Sequence, residues 1–339
     1  ELLTWLPPFL FVGVGWITHR DSLRQAETDF QRMRILALER EASLRQTRSK
    51  EISRPHEEPV IAGQYRVGVQ LGVGATGAVW EATRLTDKAR VALKLLRTAV
   101  VHDVRATDRL RREAEALGLS WHPHVVEVYD SGVLPSGVGF LVMECLTGET
   151  IAERLHRQKR VASNEARAWG IQASDALLAV HSAGVVHRDI KPGNLYLHRP
   201  EAQAEMLKVI DFGVARVSWA ETRLTRSGVR IGTLGYASPE QEEGGDVDGR
   251  SDIFGLGISL REALSGVPPL APQPLRDEAL ATLSPAWQDV LRRMTAADRD
   301  ARFPSAREVR EAIEAIPVEE TTSPGETTSS PGVASGAAE

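Results

Sequence analysis

The sequence predicts an α+β fold in which a small antiparallel sheet precedes a larger, mostly helical part. Short apolar runs typical of strands, at residues 79–82, 91–94 and 140–146, occur in the first half of the chain. Residues 163–184 carry an apolar helical face. Residues 251–264 are apolar all round, as expected of a buried helix, with Ser251 at its start and Gly266 just past its end. With 339 residues, of which 42% are hydrophobic, the chain can bury a large core.

Composition and charge limit the function classes that fit the chain. The formal net charge is only −5, so there is no global bias toward nucleic acid, and we predict no nucleic-acid partner. The sequence contains a single cysteine, Cys145, which excludes an internal disulfide and a cysteine-ligated metal cluster. This cysteine usage suits a reducing cytoplasm.

The segment at residues 1–17 is apolar, but it is shorter than the about 20 residues that span a bilayer. Pro7 and Pro8 interrupt it. Three interpretations are open: the inner end of a membrane helix, a degraded signal-like segment, or an apolar patch that packs on the protein. A small-residue cleavage site is not visible, which counts against secretion. Membrane association through this segment, with anchoring to the inner membrane, is therefore one expectation.

Residues 18–52 are predicted to form a helical, juxtamembrane segment. Its apolar residues at seven-residue intervals are Leu23, Phe30, Ala37 and Leu44. A coiled coil, which would supply a homodimer contact, and a solvated connector are both open. If residues 1–17 enter a membrane, the arginines of this segment favour a cytoplasmic side for the chain beyond residue 52.

The rest of the chain divides into three parts. Residues 53–63, which include Pro55 and Pro59, are predicted to be a linker. Residues 64–316 form the predicted catalytic domain. Residues 317–339 are rich in Thr, Ser, Gly and Pro and cannot bury enough apolar surface to fold, so a disordered tail is expected.

Two short runs, HRDIKPGN and DFG, carry the chemistry of the predicted domain. Phosphoryl transfer between oxygens needs a carboxylate that accepts the proton of the attacking hydroxyl, a divalent cation, and positive groups that hold the phosphates. Asp189 suits the proton acceptor, and Lys191 could reach the transferring phosphate. Asn194 and Asp211 offer the oxygen ligands that Mg²⁺ prefers, with Mn²⁺ as an alternative.

A glycine-rich run, LGVGATGAV from Leu71 to Val79, precedes these motifs. Gly72, Gly74 and Gly77 would let backbone amides close over phosphates without obstruction by side chains. A dinucleotide-binding turn has a similar pattern, but there a helix follows the glycines. Here another strand-like run follows, so we predict a hairpin that covers the phosphates.

Lys94 ends an apolar strand-like run and would point into a nucleotide cleft. The alternative is a solvated lysine at a strand edge. Further along the chain, Glu113 lies in a segment with an apolar helical stripe. The stripe is formed by Leu110, Ala114 and Leu117. Glu113 is the predicted partner of Lys94, and Glu115 is the other candidate.

In this order, these motifs resemble those of the protein kinase family. The runs GVVHRDIKPGN and GTLGYASPEQ resemble its bacterial, eukaryotic-type (Hanks-type) serine/threonine kinases. The resemblance implies a two-lobed fold, with an N-lobe at about residues 64–146 that contains one helix and a larger C-lobe at 147–316. It also implies transfer of the ATP γ-phosphate to Ser or Thr hydroxyls of protein substrates, with Lys94, fixed by Glu113, near the α and β phosphates.

The resemblance also implies an adenine site at the hinge, which is the apolar run from Phe140 to Leu146. The expected nucleotide-binding residues are Leu71, Gly72, Gly74, Gly77, Val79, Ala92, Lys94, Met143, Glu144, Leu146 and Tyr196. Tyr196 stands where the family usually has an aliphatic residue, so we expect a different pocket floor. The stretch between Pro269 and Leu283 is shorter than usual, so a helix that often docks substrates should be reduced.

Three structural contacts are expected from the same resemblance. Glu240 should form a buried ion pair with Arg302, and Asp252 should brace the backbone of the catalytic loop, which is the run HRDIKPGN from His187 to Asn194. Thr225 and Ser227 lie where bacterial relatives autophosphorylate, and a phosphate there could pair with Arg188. The alternative for this loop is a flexible polar segment whose hydroxyls do nothing.

Two other function classes share parts of this pattern. A pseudokinase scaffold would use the same fold for binding, but Lys94, Asp189, Asn194 and Asp211 are all present. A small-molecule phosphotransferase would share Asp189 and Asn194 without the complete motif series.

A homodimer through the N-lobe or residues 18–52 is the predicted assembly.

Overall fold

The computed structural model describes residues 59–74, 77–99, 121–134, 138–212 and 235–318. Several predictions lie outside the described residues and stay predictions: the segments 1–17 and 18–52, most of the linker, the helix bearing Glu113, the loop with Thr225 and Ser227, and nearly all of the tail. Within the described ranges, no helix has the length and apolar content that crossing a membrane requires.

The smaller lobe is built on a six-stranded antiparallel sheet with the order β1-β2-β3-β4-β6-β5. Its strands are β1 (Val60–Ile61), β2 (Tyr65–Val73), β3 (Gly77–Arg84), β4 (Arg90–Ala99), β5 (Val128–Val133) and β6 (Val138–Glu144). The sheet thus begins at Val60, inside the segment predicted to be a linker. Val91, Leu93 and Val142 form the centre of its core, and the ring of Tyr65 packs 6.5 Å from that of Phe140.

The larger lobe is mostly helical. Its helices are α1 (Ile151–Gln158), α2 (Ser163–Ser182), α3 (Pro239–Glu243), α4 (Gly249–Ser265), α5 (Gln273–Ala281), α6 (Pro285–Met294) and α7 (Ala306–Glu314). A three-stranded sheet of β7 (Gly148–Thr150), β8 (Leu195–His198) and β9 (Met206–Val209) completes it. The α+β, two-lobed fold is confirmed, and helix α5 is the element that occupies the shortened stretch before Leu283.

Helix α4 passes through the centre of the larger lobe. It begins at Gly249 under an Asp248 cap, whose carboxylate accepts the N–H of Arg250 at 2.9 Å, two residues before the serine expected at the start. Asp caps a helix as well as Ser does, and the sequence offers both. The predicted end is correct: Gly266 has φ 73°, a conformation that glycine adopts without strain.

A glycine allows α4 to touch the loop before β8. A Cβ on Gly255 would stand 2.6 Å from the backbone oxygen of Ile190, which is too close for any other residue. On its remaining sides α4 buries Ile253, Leu256 and Leu260 in the main core. The helix therefore fixes the distance between the core and the catalytic loop.

The predicted ion pair between Glu240 and Arg302 forms. Nη1 and Nη2 of Arg302 donate to the two carboxylate oxygens at 2.7 and 2.8 Å, and Arg302 is only 2% exposed. Ser251 adds a hydrogen bond of 2.6 Å to Glu240. Burial raises the pKa of Glu240, but the hydrogen bonds from Arg302 and Ser251 outweigh burial and bring the pKa down to about 2. Glu240 is therefore a carboxylate held on α3 by a fully engaged guanidinium.

Replacing Arg302 by Met should lower the free energy of unfolding by about 3–5 kcal/mol, because it leaves Glu240 as an uncompensated buried charge. Urea denaturation measures the change. The control is Arg310→Met, since Arg310 is 34% exposed and its pair with Asp175 should contribute less than about 1 kcal/mol. Equal losses in the two variants would contradict the assignment.

Candidate active site

The catalytic loop follows α2 and is held by one carboxylate from α4. Asp252, 1% exposed, accepts the backbone N–H of His187 at 2.8 Å and that of Arg188 at 2.7 Å. Nε2 of His181 lies 2.8 Å from the same carboxylate. Arg188 has φ 64°, which a residue with a side chain adopts only when its surroundings impose it. The predicted brace by Asp252 thus supplies the interactions that impose this backbone conformation.

Two further side chains, those of Gln241 and His187, hold this loop through contacts that the sequence did not indicate. Nε2 of Gln241 donates to the carbonyl of Arg188 at 2.9 Å. The buried ring of His187 lies 2.9 Å from the carbonyl of Ile210 through Nε2 and packs 4.7 Å from the ring of Phe212. The catalytic loop is therefore tied to the DFG motif on one side and to α3 on the other.

Three of the predicted catalytic side chains come together at the end of the loop. Nζ of Lys191 lies 2.8 Å from Oδ2 of Asp189. The side-chain amide of Asn194, in the 3₁₀ turn Pro192–Asn194, donates to the carbonyl of Asp189 at 2.7 Å and to Oδ2 at 3.1 Å. Because the N–H groups of Asn194 point at Asp189, its amide oxygen remains as a ligand for a cation.

The predicted metal ligand Asp211 forms a contact that the sequence did not indicate. Oδ1 of Asp211 lies 2.7 Å from Nζ of Lys94, a residue of β4 that is 6% exposed. Since β4 belongs to the smaller lobe and Asp211 follows β9 of the larger lobe, this ion pair crosses the cleft. Glu113 lies outside the described residues, so its pairing with Lys94 stays a prediction.

The glycine run forms the predicted hairpin between β2 and β3, with Gly72 opposite Val79. A Cβ on Gly77 would stand 2.1 Å from the backbone oxygen of Leu95, so glycine is required there by the neighbouring strand. A Cβ on Gly72 would meet no described atom within 4 Å, and one on Gly74 would meet its nearest at 3.9 Å. With respect to the described residues, Gly72 and Gly74 therefore border open space that phosphates can fill.

The predicted adenine-binding residues lie at the junction of the lobes. Met143 on β6 is buried and pairs with Ala92 on β4, while Leu146 and Val79 are half-buried and pack against the same core. Leu71 is 48% exposed on β2. Tyr196 lies on β8, and burial raises the pKa of its hydroxyl, which is therefore neutral at physiological pH.

A ligand with an apolar ring system and several phosphates fits this arrangement. The junction offers apolar side chains, the hairpin offers open space beside its glycines, and Asn194 and Asp211 offer hard oxygen ligands for a divalent cation. Asp189 lies next to Asn194 on the same loop. A cleft with phosphate-binding glycines on one side and acidic groups on the other is typical of a phosphotransferase domain of the protein kinase type, and this is the class of domain that the chain contains.

Comparison with known families gives the same class. The family model described as "Protein kinase domain" matches residues 65–313, and the chain belongs to this family. The predicted kind of domain, a bacterial eukaryotic-type serine/threonine protein kinase domain, is confirmed by its similarity to bacterial serine/threonine-protein kinases.

Among these relatives, "Serine/threonine-protein kinase pkn3" of Myxococcus xanthus is 32% identical over 277 residues, covering 76% of this chain and 50% of that protein. "Serine/threonine-protein kinase PknB" of Mycobacterium leprae is 36% identical over 214 residues, covering 62% of this chain and 34% of that protein. The chain thus spans about half or less of these proteins. The crystal structure of the Mycobacterium tuberculosis PknI kinase domain superposes with a TM-score of 0.63 at 27% identity, covering 77% of this chain and 99% of that one.

The two kinds of glycine should respond differently to alanine. Gly77→Ala should lower the free energy of unfolding by about 1–3 kcal/mol without any ligand, because its Cβ collides with β4. Gly72→Ala should change this free energy by less than about 0.5 kcal/mol but weaken the stabilisation by magnesium-ATP. Thermal unfolding with and without magnesium-ATP measures both effects. The reverse pattern would contradict the assignment of open space to Gly72.

Asp252→Asn should lower kcat by roughly 10- to 100-fold, because the neutral amide keeps only one of the two oxygens that accept the backbone N–H groups of His187 and Arg188. The KM for ATP should change less than about threefold, since the phosphate-binding glycines lie in the other lobe. Steady-state kinetics tests this. Asp248→Asn, at the cap of the same helix, is the matched control, and an equal fall in kcat for both variants would be incompatible with the brace.

Proposed function

We propose that this chain is a serine/threonine protein kinase that transfers the γ-phosphate of ATP to Ser and Thr hydroxyls of proteins. The observation that carries the proposal is the position of the Asp189 carboxylate, held by Asn194 and Lys191 on a loop whose backbone is fixed. A carboxylate placed in this way can orient a hydroxyl and accept its proton. The similarity to relatives named serine/threonine-protein kinases supports the same activity.

The other groups would bind and align the nucleotide. Asn194 and Asp211 would hold magnesium, which neutralises charge on the phosphates when it is bound, and manganese could replace it. Lys94 would hold the α and β phosphates, and the amides near Gly72, Gly74 and Gly77 would cover them. Lys191, next to Asp189, would contact the transferring phosphate.

The choice of Ser and Thr over Tyr is supported by the loop sequence. Lys191 and Thr233 match the serine/threonine branch of the family that this chain resembles. A tyrosine-specific member would carry a different catalytic loop, one that contains arginine. Activation through phosphorylation of Thr225 or Ser227 belongs to the proposal, and both lie outside the described residues.

Assembly and location are also proposals. A cytoplasmic kinase domain that residues 1–17 attach to the inner membrane, and a homodimer through residues 18–52, are supported by the sequence pattern of these two segments. A homodimer through the N-lobe is the alternative assembly. The similarity to relatives does not address membrane attachment or dimerisation.

The direct test is incubation of the full chain with magnesium and γ-labelled ATP, followed by phosphosite mapping. Asp189→Asn should lower the incorporation of phosphate by at least about 100-fold, because the proton acceptor becomes a neutral amide. Asp289→Asn is the matched control, since Asp289 is 81% exposed on α6, and it should label like the parent. Label is expected on Thr225 or Ser227.

Three outcomes would contradict parts of the proposed function. Equal labelling of the Asp189 variant and the parent would remove Asp189 from the chemistry. Nucleotide binding without label in any variant would indicate a scaffold, and label on free sugars or antibiotics but never on protein would indicate a small-molecule phosphotransferase. An active enzyme modified at neither Thr225 nor Ser227 would remove self-activation through this loop.

A further inference from the structure

A buried lysine on β9 joins the hinge to the strand that leads to Asp211. Lys208 is 8% exposed, and its Nζ lies 2.6 Å from Oε1 of Glu144, the last residue of β6. The same oxygen accepts the backbone N–H of Glu127 at 2.8 Å. Burying an ammonium group is unfavourable unless an anion and hydrogen bonds compensate for it. The position of Lys208 is therefore closely tied to that of Glu144.

The pair connects the two lobes. Glu144 belongs to the six-stranded sheet of the smaller lobe, and Lys208 belongs to the three-stranded sheet of the larger one. Backbone hydrogen bonds between the segment before β5 and β9 lie beside the pair: Val126 donates to Val209 at 3.0 Å, and Val209 donates to His124 at 2.8 Å. These backbone hydrogen bonds join β9 to the segment before β5, and the ion pair adds a side-chain link from β9 to the hinge.

Lys208 also faces the expected floor of the adenine pocket. It is paired with Tyr196 in the β8–β9 register, and residues paired in an antiparallel ladder project from the same face. Three positions further along the chain is Asp211, whose carboxylate contacts Lys94 across the cleft. One side chain therefore links the pocket floor, the hinge and the approach to the metal-binding carboxylate.

We propose that Lys208 is a positioning residue for nucleotide binding. Through its ion pair with Glu144 it holds the hinge backbone and the Asp211 segment at a fixed distance. The hinge can then contact the adenine of a nucleotide while Asp211 holds the magnesium at the phosphates of the same nucleotide. The proposal rests on the proposed function, because it takes a magnesium nucleotide as the ligand. The catalytic loop is held separately by Asp252, so loss of the pair should weaken nucleotide binding and preserve turnover at saturation.

The test compares Lys208→Met, Lys208→Arg and the control Arg157→Met, which removes an exposed partner of Glu149. The Kd of the full chain for a fluorescent ADP analogue with magnesium is measured first, followed by kcat and the KM for ATP. Lys208→Met should raise Kd and KM about tenfold and change kcat by less than about twofold. Lys208→Arg should restore Kd to within about threefold of the parent, and the control should not differ from it.

A merely structural role gives a different result. It would lower the fraction of active protein, so kcat would fall while Kd and KM stayed at the parent values, and this result or an unchanged Kd would overturn the proposal. If Lys208→Met does not fold, Glu144→Gln keeps the shape and should still raise Kd about threefold. An unchanged Kd in that variant would equally overturn it.

The outcome for the proposed function is separate. A parent that binds the nucleotide but transfers no phosphate would contradict the kinase activity alone, because the comparison of Kd values would still decide the role of Lys208. A parent that binds no nucleotide would overturn both proposals.

Discussion

The carboxylate of Asp252 is the constraint on which the active site depends. It is buried, and a buried carboxylate is costly by several kcal/mol unless hydrogen bonds replace its hydration. His187 and Arg188 supply these hydrogen bonds from their backbone, which requires Arg188 to adopt a positive φ. The energetic need of one side chain thus sets the backbone conformation immediately before Asp189. The direction of the catalytic carboxylate follows from it.

The rest of the larger lobe supports this arrangement from two directions. Gly255 lets helix α4 approach the loop closely enough for Asp252 to reach it. On the other side, the ion pair of Glu240 with Arg302 anchors α3, from which Gln241 binds the carbonyl of Arg188. The N–H and the carbonyl of Arg188 are therefore both held, by groups from different helices. The smaller lobe contributes Lys94 across the cleft, so closure of the lobes and alignment of Asp211 are linked.

The glycine pattern predicted the hairpin, and the resemblance of the motifs to those of the protein kinase family implied the two-lobed fold, the brace by Asp252 and the Glu240–Arg302 pair. The structure contains all of these features. The contacts between Lys94 and Asp211 and between Lys208 and Glu144 were not predicted. Each joins residues from different lobes, and their partners depend on how the lobes meet, which no local pattern encodes. The Lys94–Glu113 pair and the phosphorylation sites lie outside the described residues and stay predictions.

The measurement that tests the central claim most directly is hydrogen exchange at the backbone amides of His187 and Arg188 in the full chain. If the Asp252 carboxylate holds both N–H groups, they should exchange at least about 100-fold more slowly than the same amides in an unstructured peptide, although they lie in a loop. Exchange of either amide at the rate of an unstructured peptide would contradict the claim that this carboxylate fixes the catalytic loop.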